Sequence, residues 1–102
     1  MIKMVYCTCN VSKLEELMKV LDDEPVESYQ VFDEVRAKSV KGDPRLNNAV
    51  WPGHNASVMM QISDNDKVRN IARAVREINN SAINDNELIT FASWTLEEYF
   101  FE

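Results

Sequence analysis

Two periods of hydrophobicity divide this chain into predicted helices and strands. Apolar residues recur every three or four positions in two segments, as in amphipathic helices with one buried face. These segments are residues 12–22 and 64–81. Four other segments are rich in β-branched and aromatic residues and predict strands. They are residues 2–9, 29–40, 56–63 and 88–95.

Polar residues at particular positions refine the ends and shapes of these elements. Ser12 is followed three residues later by a glutamate, which matches a capping box at the start of the first helix. Asp64 or Asn65 can cap the second helix. Asp33 and Glu34 interrupt the alternation of the second strand, so we expect a bulge or a bend there.

The first and third predicted strands carry apolar residues on both faces, which is typical of strands covered on both sides. In so small a chain, helices can cover one face of the sheet and a second subunit can cover the other. Cys7 and Cys9 point to the same face of the first strand because they are two residues apart. We expect them to be reduced core residues rather than a disulfide.

The order of the elements predicts a ferredoxin-like α+β fold. Strand, helix and strand are followed by a long loop and then by a second strand, helix and strand. This order gives an antiparallel sheet with both helices on one face. The length of 102 residues and the apolar content of 45% suit a single domain, residues 1–102.

The loop between the second and third strands, residues 38–55, is the strongest candidate for a functional segment. Its sequence, KSVKGDPRLNNAVWPGHN, contains both glycines, two of the three prolines and the only histidine. Loops longer than about 12–15 residues are usually functional or disordered. We expect ligand or partner contacts from eight of its residues: Lys38, Lys41, Gly42, Arg45, Trp51, Gly53, His54 and Asn55.

These residue types have different expected roles. Lys38, Lys41 and Arg45 oppose the net charge of −6 of the whole chain and would neutralise an anionic ligand or an acidic partner surface. Trp51 would anchor the loop or a partner, and His54 would form a hydrogen bond. The alternative is a structural hairpin whose tryptophan packs on its own subunit or on the next one.

Composition and motifs argue against several classes of function. A net charge of −6 is unfavourable for a general nucleic-acid binder. No apolar run approaches the roughly 18 residues of a spanning helix, and the N-terminus lacks a secretory signal, so we expect a cytoplasmic protein without membrane insertion. No nucleophile elbow, P-loop or dinucleotide-binding pattern is present, so we expect no catalysis. His54 with a cysteine or an acidic side chain is a weak metal candidate, and no cofactor is indicated.

The chain resembles the P-II-like superfamily in its length, its element order, its opening MIKMVY before a first helix, and its long loop between strands two and three. The resemblance implies a homotrimer whose sheets pack around the trimer axis. It implies small ligands, commonly adenine nucleotides, in clefts between subunits at the base of the loop. It also implies a cytoplasmic signalling or regulatory protein whose loop contacts a partner.

One segment departs from the nucleotide-binding P-II proteins. They carry a glycine-rich, basic loop after the second helix, whereas residues 79–87, NNSAINDNE, contain no glycine, lysine or arginine. Glycines let backbone amides approach phosphates, and cations offset their charge. The departure argues against a bound triphosphate, and the ligand that we expect is a small anion.

A second resemblance is to CutA, a trimeric ferredoxin-like group linked to divalent-metal tolerance. It rests on residues 5–9, VYCTC, and on the polar start of the helix that follows. This resemblance implies a divalent-metal-binding protein. A third alternative is a structural oligomer without ligand, in which the loop only completes the interface.

Overall fold

The computed structural model describes all residues 1–102 and contains one four-stranded sheet and two helices. The elements are β1 (Lys3–Asn10), α1 (Leu14–Asp23), β2 (Ser28–Val35), β3 (Asn55–Ile62), α2 (Asn65–Asn80) and β4 (Thr90–Thr95), with short 3-10 turns at Val11–Lys13 and Asp85–Glu87. All strand pairs are antiparallel, in the order β2-β3-β1-β4. The predicted ferredoxin-like fold is confirmed. Neither helix is long and apolar enough to cross a membrane.

The core lies between the two helices and one face of the sheet. Val5, Cys7 and Cys9 of β1 are buried on this face, as their alternation predicted. The rest of the core comes mainly from β3 and the two helices: Leu17, Val20, Leu21, Val58, Met60, Ile62, Val68, Ile71, Val75 and Ile89. Because tertiary packing supplies most of a helix's stability, this cluster holds both helices on one side of the sheet.

The other face of the sheet is only partly covered within one chain. Met4, Tyr6 and Met59 are half-buried there, and Phe32 and Trp94 are 46% and 45% exposed. Contiguous exposed apolar patches mark interaction surfaces in soluble proteins. This open face is therefore available for a second subunit, as the apolar residues on both faces of the first and third predicted strands suggested.

The start of α1 differs from the prediction. Asn10, rather than Ser12, supplies the cap: its Oδ1 accepts a hydrogen bond from the Ser12 amide at 3.1 Å. A 3-10 turn follows, and α1 begins at Leu14 without a side-chain cap, so the capping box does not form. At α2 the predicted cap is present, because the Asp64 side chain accepts hydrogen bonds from two backbone amides of the first turn.

β2 is shorter than predicted and ends at Val35 rather than at residue 40. A register shift between Phe32 and Val35 confirms the irregularity expected at this point. After Val35, which still pairs with Asn55, the chain leaves the sheet, and Ala37 pairs with Arg45 instead of with β3. The connection to β3 therefore spans residues 36–54 rather than 38–55.

Candidate functional site

The connection between β2 and β3 forms a hydrogen-bonded hairpin, which we call the hairpin (residues 36–54). Ala37 and Arg45 exchange two backbone hydrogen bonds of 2.9 and 2.8 Å. Nearer the tip, the Asn47 amide donates to the Gly53 carbonyl at 2.9 Å, and both residues have positive φ, 55° and 83°. The segment thus has the ordered geometry that the structural alternative described.

Arg45 joins the base of the hairpin to the sheet. Its Nε donates to Oδ1 of Asn55 at 2.5 Å, and its Nη1 donates to the backbone oxygen of Asp43 at 3.4 Å. The Nδ2 of Asn55 in turn donates to Oγ1 of Thr8 at 3.1 Å. Arg45 and Asn55 are only 9% and 1% exposed. Since buried polar groups need hydrogen-bond partners, these contacts fix where the hairpin leaves the sheet.

A second contact ties the hairpin to the segment between α2 and β4. The Asp43 amide donates to Oδ1 of Asn86 at 2.7 Å, and Nδ2 of Asn86 donates to the Asp43 carboxylate at 3.5 Å. Gly42, with φ of 84°, lies so close that a Cβ would be 2.8 Å from Asn86 Oδ1 and 3.1 Å from the Asp85 carbonyl oxygen. We call the contact between Gly42, Asp43 and Asn86 the hairpin latch. Only glycine accepts both this φ and this approach.

A cleft of about 530 Å³, here the first cleft, lies between the hairpin and the start of β4. Its hairpin wall is formed by Lys38, Ser39, Val40, Lys41 and Arg45. Lys38, Lys41 and Arg45, the three residues expected to neutralise an anion, therefore line the same cleft. Neither lysine forms an ion pair within the chain, so both ammonium groups are free to meet a ligand.

The opposite wall of the first cleft comes from the end of α2 and the start of β4. Asn79 holds it in place: its Nδ2 donates to the Ile89 carbonyl at 2.9 Å, and its Oδ1 accepts from the Ile89 amide at 2.8 Å. Leu88 and Thr90 extend this wall, and Asp85 carries its only charge. The Asp85 carboxylate forms no ion pair.

A second cleft of about 390 Å³ shares Arg45 with the first and contains Trp51 and Gly53. Its remaining lining is Asn10, Asp43, Pro44, Val50, Pro52 and Asn86. Trp51 is 38% exposed, so part of its ring remains available to a partner. The predicted binding residues are thus divided, with the lysines in one cleft, Trp51 in the other, and Arg45 between them.

His54 and Asn55 line neither cleft. The backbone carbonyl of His54 accepts a hydrogen bond from the Val11 amide at 3.2 Å, whereas its half-buried imidazole forms none within the chain. Asn55 is occupied by Arg45 and Thr8. Within one chain, both residues support the hairpin rather than a ligand.

The two cysteines are free and buried between the sheet and the helices. Burial, with a smaller contribution from Cys9, raises the pKa of Cys7 to about 12. Burial also raises the pKa of Cys9 to about 11, although nearby Arg45 and Lys13 oppose the rise. Thiols that resist deprotonation are poor metal ligands. The chain contains no group of three or more His, Cys, Asp or Glu side chains that could hold a metal ion.

The cationic wall of the first cleft was predicted from the sequence, but the opposite wall was not. Residues 79–87 were considered only as evidence against a triphosphate, whereas Asn79 and Asp85 line the cleft. The signal that could have found them is the topology: in this strand order β4 pairs with β1, and Thr8 faces Thr90. The start of β4 must then lie beside the base of the hairpin.

Solved structures with this fold include P-II-like proteins. CPII, a nitrogen regulatory PII-like protein from Thiomonas intermedia K12, bound to ADP and bicarbonate, has a TM-score of 0.67 at 9% identity, over 95% of this chain and 89% of that one. Its apo form has a TM-score of 0.58 at 11% identity, over 91% and 88%. A candidate PII-like signalling protein from Thermus thermophilus has a TM-score of 0.58 at 12% identity, over 91% and 84%.

At these identities the likeness establishes the fold, and it confirms the predicted P-II-like resemblance at that level. No protein-family model matches the chain, and no curated protein matches it by sequence.

Proposed function

We propose that this chain is a P-II-like regulatory protein, not an enzyme, that senses a small anionic ligand in the first cleft. The observation that carries the proposal is the convergence of Lys38, Lys41 and Arg45 on one cleft. The fold is shared with a PII-like protein that binds ADP and bicarbonate. The cleft's 530 Å³ falls within the range of about 300–1,000 Å³ typical of small-molecule sites.

The charges of the first cleft favour an anion. Lys38 and Lys41 have no acidic partner, so they concentrate anions around the hairpin although the whole chain carries −6. Arg45 uses Nε and Nη1 within the chain and keeps Nη2 for a ligand. Because Asn55 holds the guanidinium in place, little side-chain freedom remains to be lost when a ligand binds.

ADP, AMP and bicarbonate, which CPII binds, are the first candidate ligands for this chain. Of these, the smaller anions suit it better, because the wall opposite the lysines offers Asp85 instead of further cations. A long phosphate chain would meet this carboxylate and be repelled.

The proposal includes a homotrimer and a protein partner. Exposed Phe32 and Trp94 on the open face support a contact between subunits there. That the oligomer is a trimer is what the P-II-like resemblance implies. Exposed Trp51 and Val50 at the tip of the hairpin support a partner contact outside the first cleft. We place this function in the cytoplasm, where two reduced, closely spaced cysteines persist.

A thermal-shift screen with ADP, AMP, bicarbonate and divalent metals tests the proposal, together with native mass measurement of the assembly. We expect an anion to raise the melting temperature, since a ligand that binds the folded state stabilises it. The double variant Lys38→Ala, Lys41→Ala should lose this shift while keeping its own melting temperature. The matched control Lys19→Ala, Arg69→Ala removes two exposed cations on the helices and should keep the shift.

Other outcomes would favour the alternatives. A shift caused by a divalent metal and lost in His54→Ala would replace the proposal with a CutA-like function. If no ligand shifts the melting temperature and deletion of residues 41–53 breaks the oligomer, the chain is a structural oligomer. A native mass other than three times 11.8 kDa would refute the trimer.

A further inference from the structure

The two walls of the first cleft carry opposite charges that do not pair with each other. Lys38 and Lys41 lie on the hairpin wall, and Asp85 lies on the wall between α2 and β4. All three are exposed, and none forms an ion pair. The Asp85 carboxylate also accepts no hydrogen bond within the chain, unlike its neighbour Asn86, which is held in the hairpin latch.

The hairpin latch brings the backbone next to Lys41 close to the backbone of Asp85. Gly42 packs against the Asp85 backbone, so a Cβ on Gly42 would be 3.1 Å from its carbonyl oxygen. Lys41, one residue earlier, therefore borders the cleft close to where Asp85 borders it. A site for a simple anion gains nothing from an unpaired carboxylate here, because like charges repel.

The remaining lining suits a short carbon skeleton. Val40, Leu88 and Ile89 are the apolar residues of the cleft, and Thr8, Ser39 and Thr90 add hydroxyl groups. A ligand with an apolar stem and charges of both signs would use every part of this lining.

We propose, as a refinement that rests on the proposed function, that the first cleft takes a dipolar ligand of the acidic α-amino acid class. The carboxylates of the ligand lie against Lys38 and Lys41, with Arg45 behind them, and its ammonium group lies against Asp85. Three cations and one anion on the protein complement two carboxylates and one ammonium on the ligand. Asp85 is thus the residue that separates amino acids from simple dicarboxylates.

Titration calorimetry with L-glutamate and glutarate tests this assignment. The two probes share five carbons and two carboxylates, and only L-glutamate carries the ammonium group. We expect wild-type protein to bind L-glutamate about two- to fivefold more tightly than glutarate, the size of effect that one solvent-screened charge contact supplies. In Asp85→Asn the preference should vanish, with glutarate binding unchanged or tightened.

Matched variants distinguish the amino-acid assignment from the more general proposal that the first cleft binds a small anion. Asp33→Asn removes an exposed carboxylate outside the cleft and should keep the preference for L-glutamate, and Lys38→Ala, Lys41→Ala should lose binding of both probes. Equal binding of the two probes by wild type, or a preference retained in Asp85→Asn, would overturn the amino-acid assignment. If ADP or bicarbonate still binds in a lysine-dependent way, the proposed function stands without it. If no anion of the set binds, both fail.

Discussion

The Nε atom of Arg45 donates a 2.5 Å hydrogen bond to Oδ1 of Asn55, and both side chains are buried at the base of the hairpin. Arg45 therefore lines the first cleft and also holds the base of the hairpin to the sheet. Lys38 and Lys41 form no ion pair that would hold the hairpin in place. Substitutions of the lysines report on binding alone, whereas substitutions of Arg45 disturb the hairpin as well.

Replacing Asn55 with alanine should destabilise the protein by about 1–3 kcal/mol, because buried Arg45 loses its acceptor and Thr8 loses a donor. Urea denaturation measures the loss. Asn65→Ala, at an exposed position that forms no side-chain hydrogen bond, should change the free energy of unfolding by no more than about 0.5 kcal/mol. An Asn55→Ala protein as stable as this control would show that the Arg45–Asn55 contact is dispensable.

Gly42→Ala should cost more stability than Gly53→Ala. Both glycines have nearly the same positive φ, 84° and 83°, so the backbone strain of about 1–2 kcal/mol per residue is matched. Only at position 42 would the new Cβ collide, 2.8 Å from Asn86 Oδ1, whereas at position 53 its nearest neighbour is the Arg45 Cγ at 3.9 Å. The difference between the two variants therefore measures the cost of forcing a Cβ into the close contact of the hairpin latch.

Hydrogen exchange gives a second measure of the same effect. The Asp43 amide, which donates to Asn86, should exchange faster in Gly42→Ala than in Gly53→Ala. Equal losses of stability and equal exchange rates in the two variants would contradict the close packing of Gly42 against Asn86 and Asp85.

Cys7 and Cys9 should react slowly with a thiol reagent at pH 8 in the native protein and rapidly after unfolding. Their pKa values of about 12 and 11 keep the reactive thiolate scarce, and burial blocks access to it. A Ser63→Cys variant, with a thiol at an exposed position, supplies the fast-reacting control. Rapid labelling of both native cysteines would contradict the core assignment.

The contact of Glu87 with its neighbours should contribute to stability at neutral pH and not in acid. The Ile83 amide, which donates at 2.8 Å, and then Lys13 hold the pKa of Glu87 below its ordinary value of 4.5. A carboxylate with a lowered folded-state pKa stabilises the fold above the unfolded value, and this stabilisation is lost as the pH falls through the folded value.

Glu87→Gln should therefore be less stable than wild type at pH 6, and the difference should shrink as the pH falls below 4.5. Thermal unfolding between pH 6 and 3 measures it. Glu27→Gln, at an exposed carboxylate without an ion pair, should show no such convergence. A Glu87→Gln deficit that stays constant over this range would contradict the assigned pKa direction.

The faces of the secondary structure elements followed from local periodicity. Val5, Cys7 and Cys9 alternate and are buried together because successive side chains of a strand point to opposite faces. The ends of elements were less predictable. Asn10 displaced Ser12 as the cap because pairing with Asn55 extends β1 to Asn10, a long-range contact that a capping motif does not encode.

The candidate site was likewise predicted only in part, because the sequence reveals local features and not long-range contacts. Charge and turn-forming residues are local properties, so the amino-acid sequence is enough to assign Lys38, Lys41 and Arg45 to one insertion with a charge opposite to that of the chain. Tertiary packing leaves the lysines without ion pairs and buries Arg45 against Asn55, and neither outcome can be read from the sequence. Tertiary packing also brings Asp85, some forty residues away, to the same cleft, because packing rather than local preference places distant segments side by side.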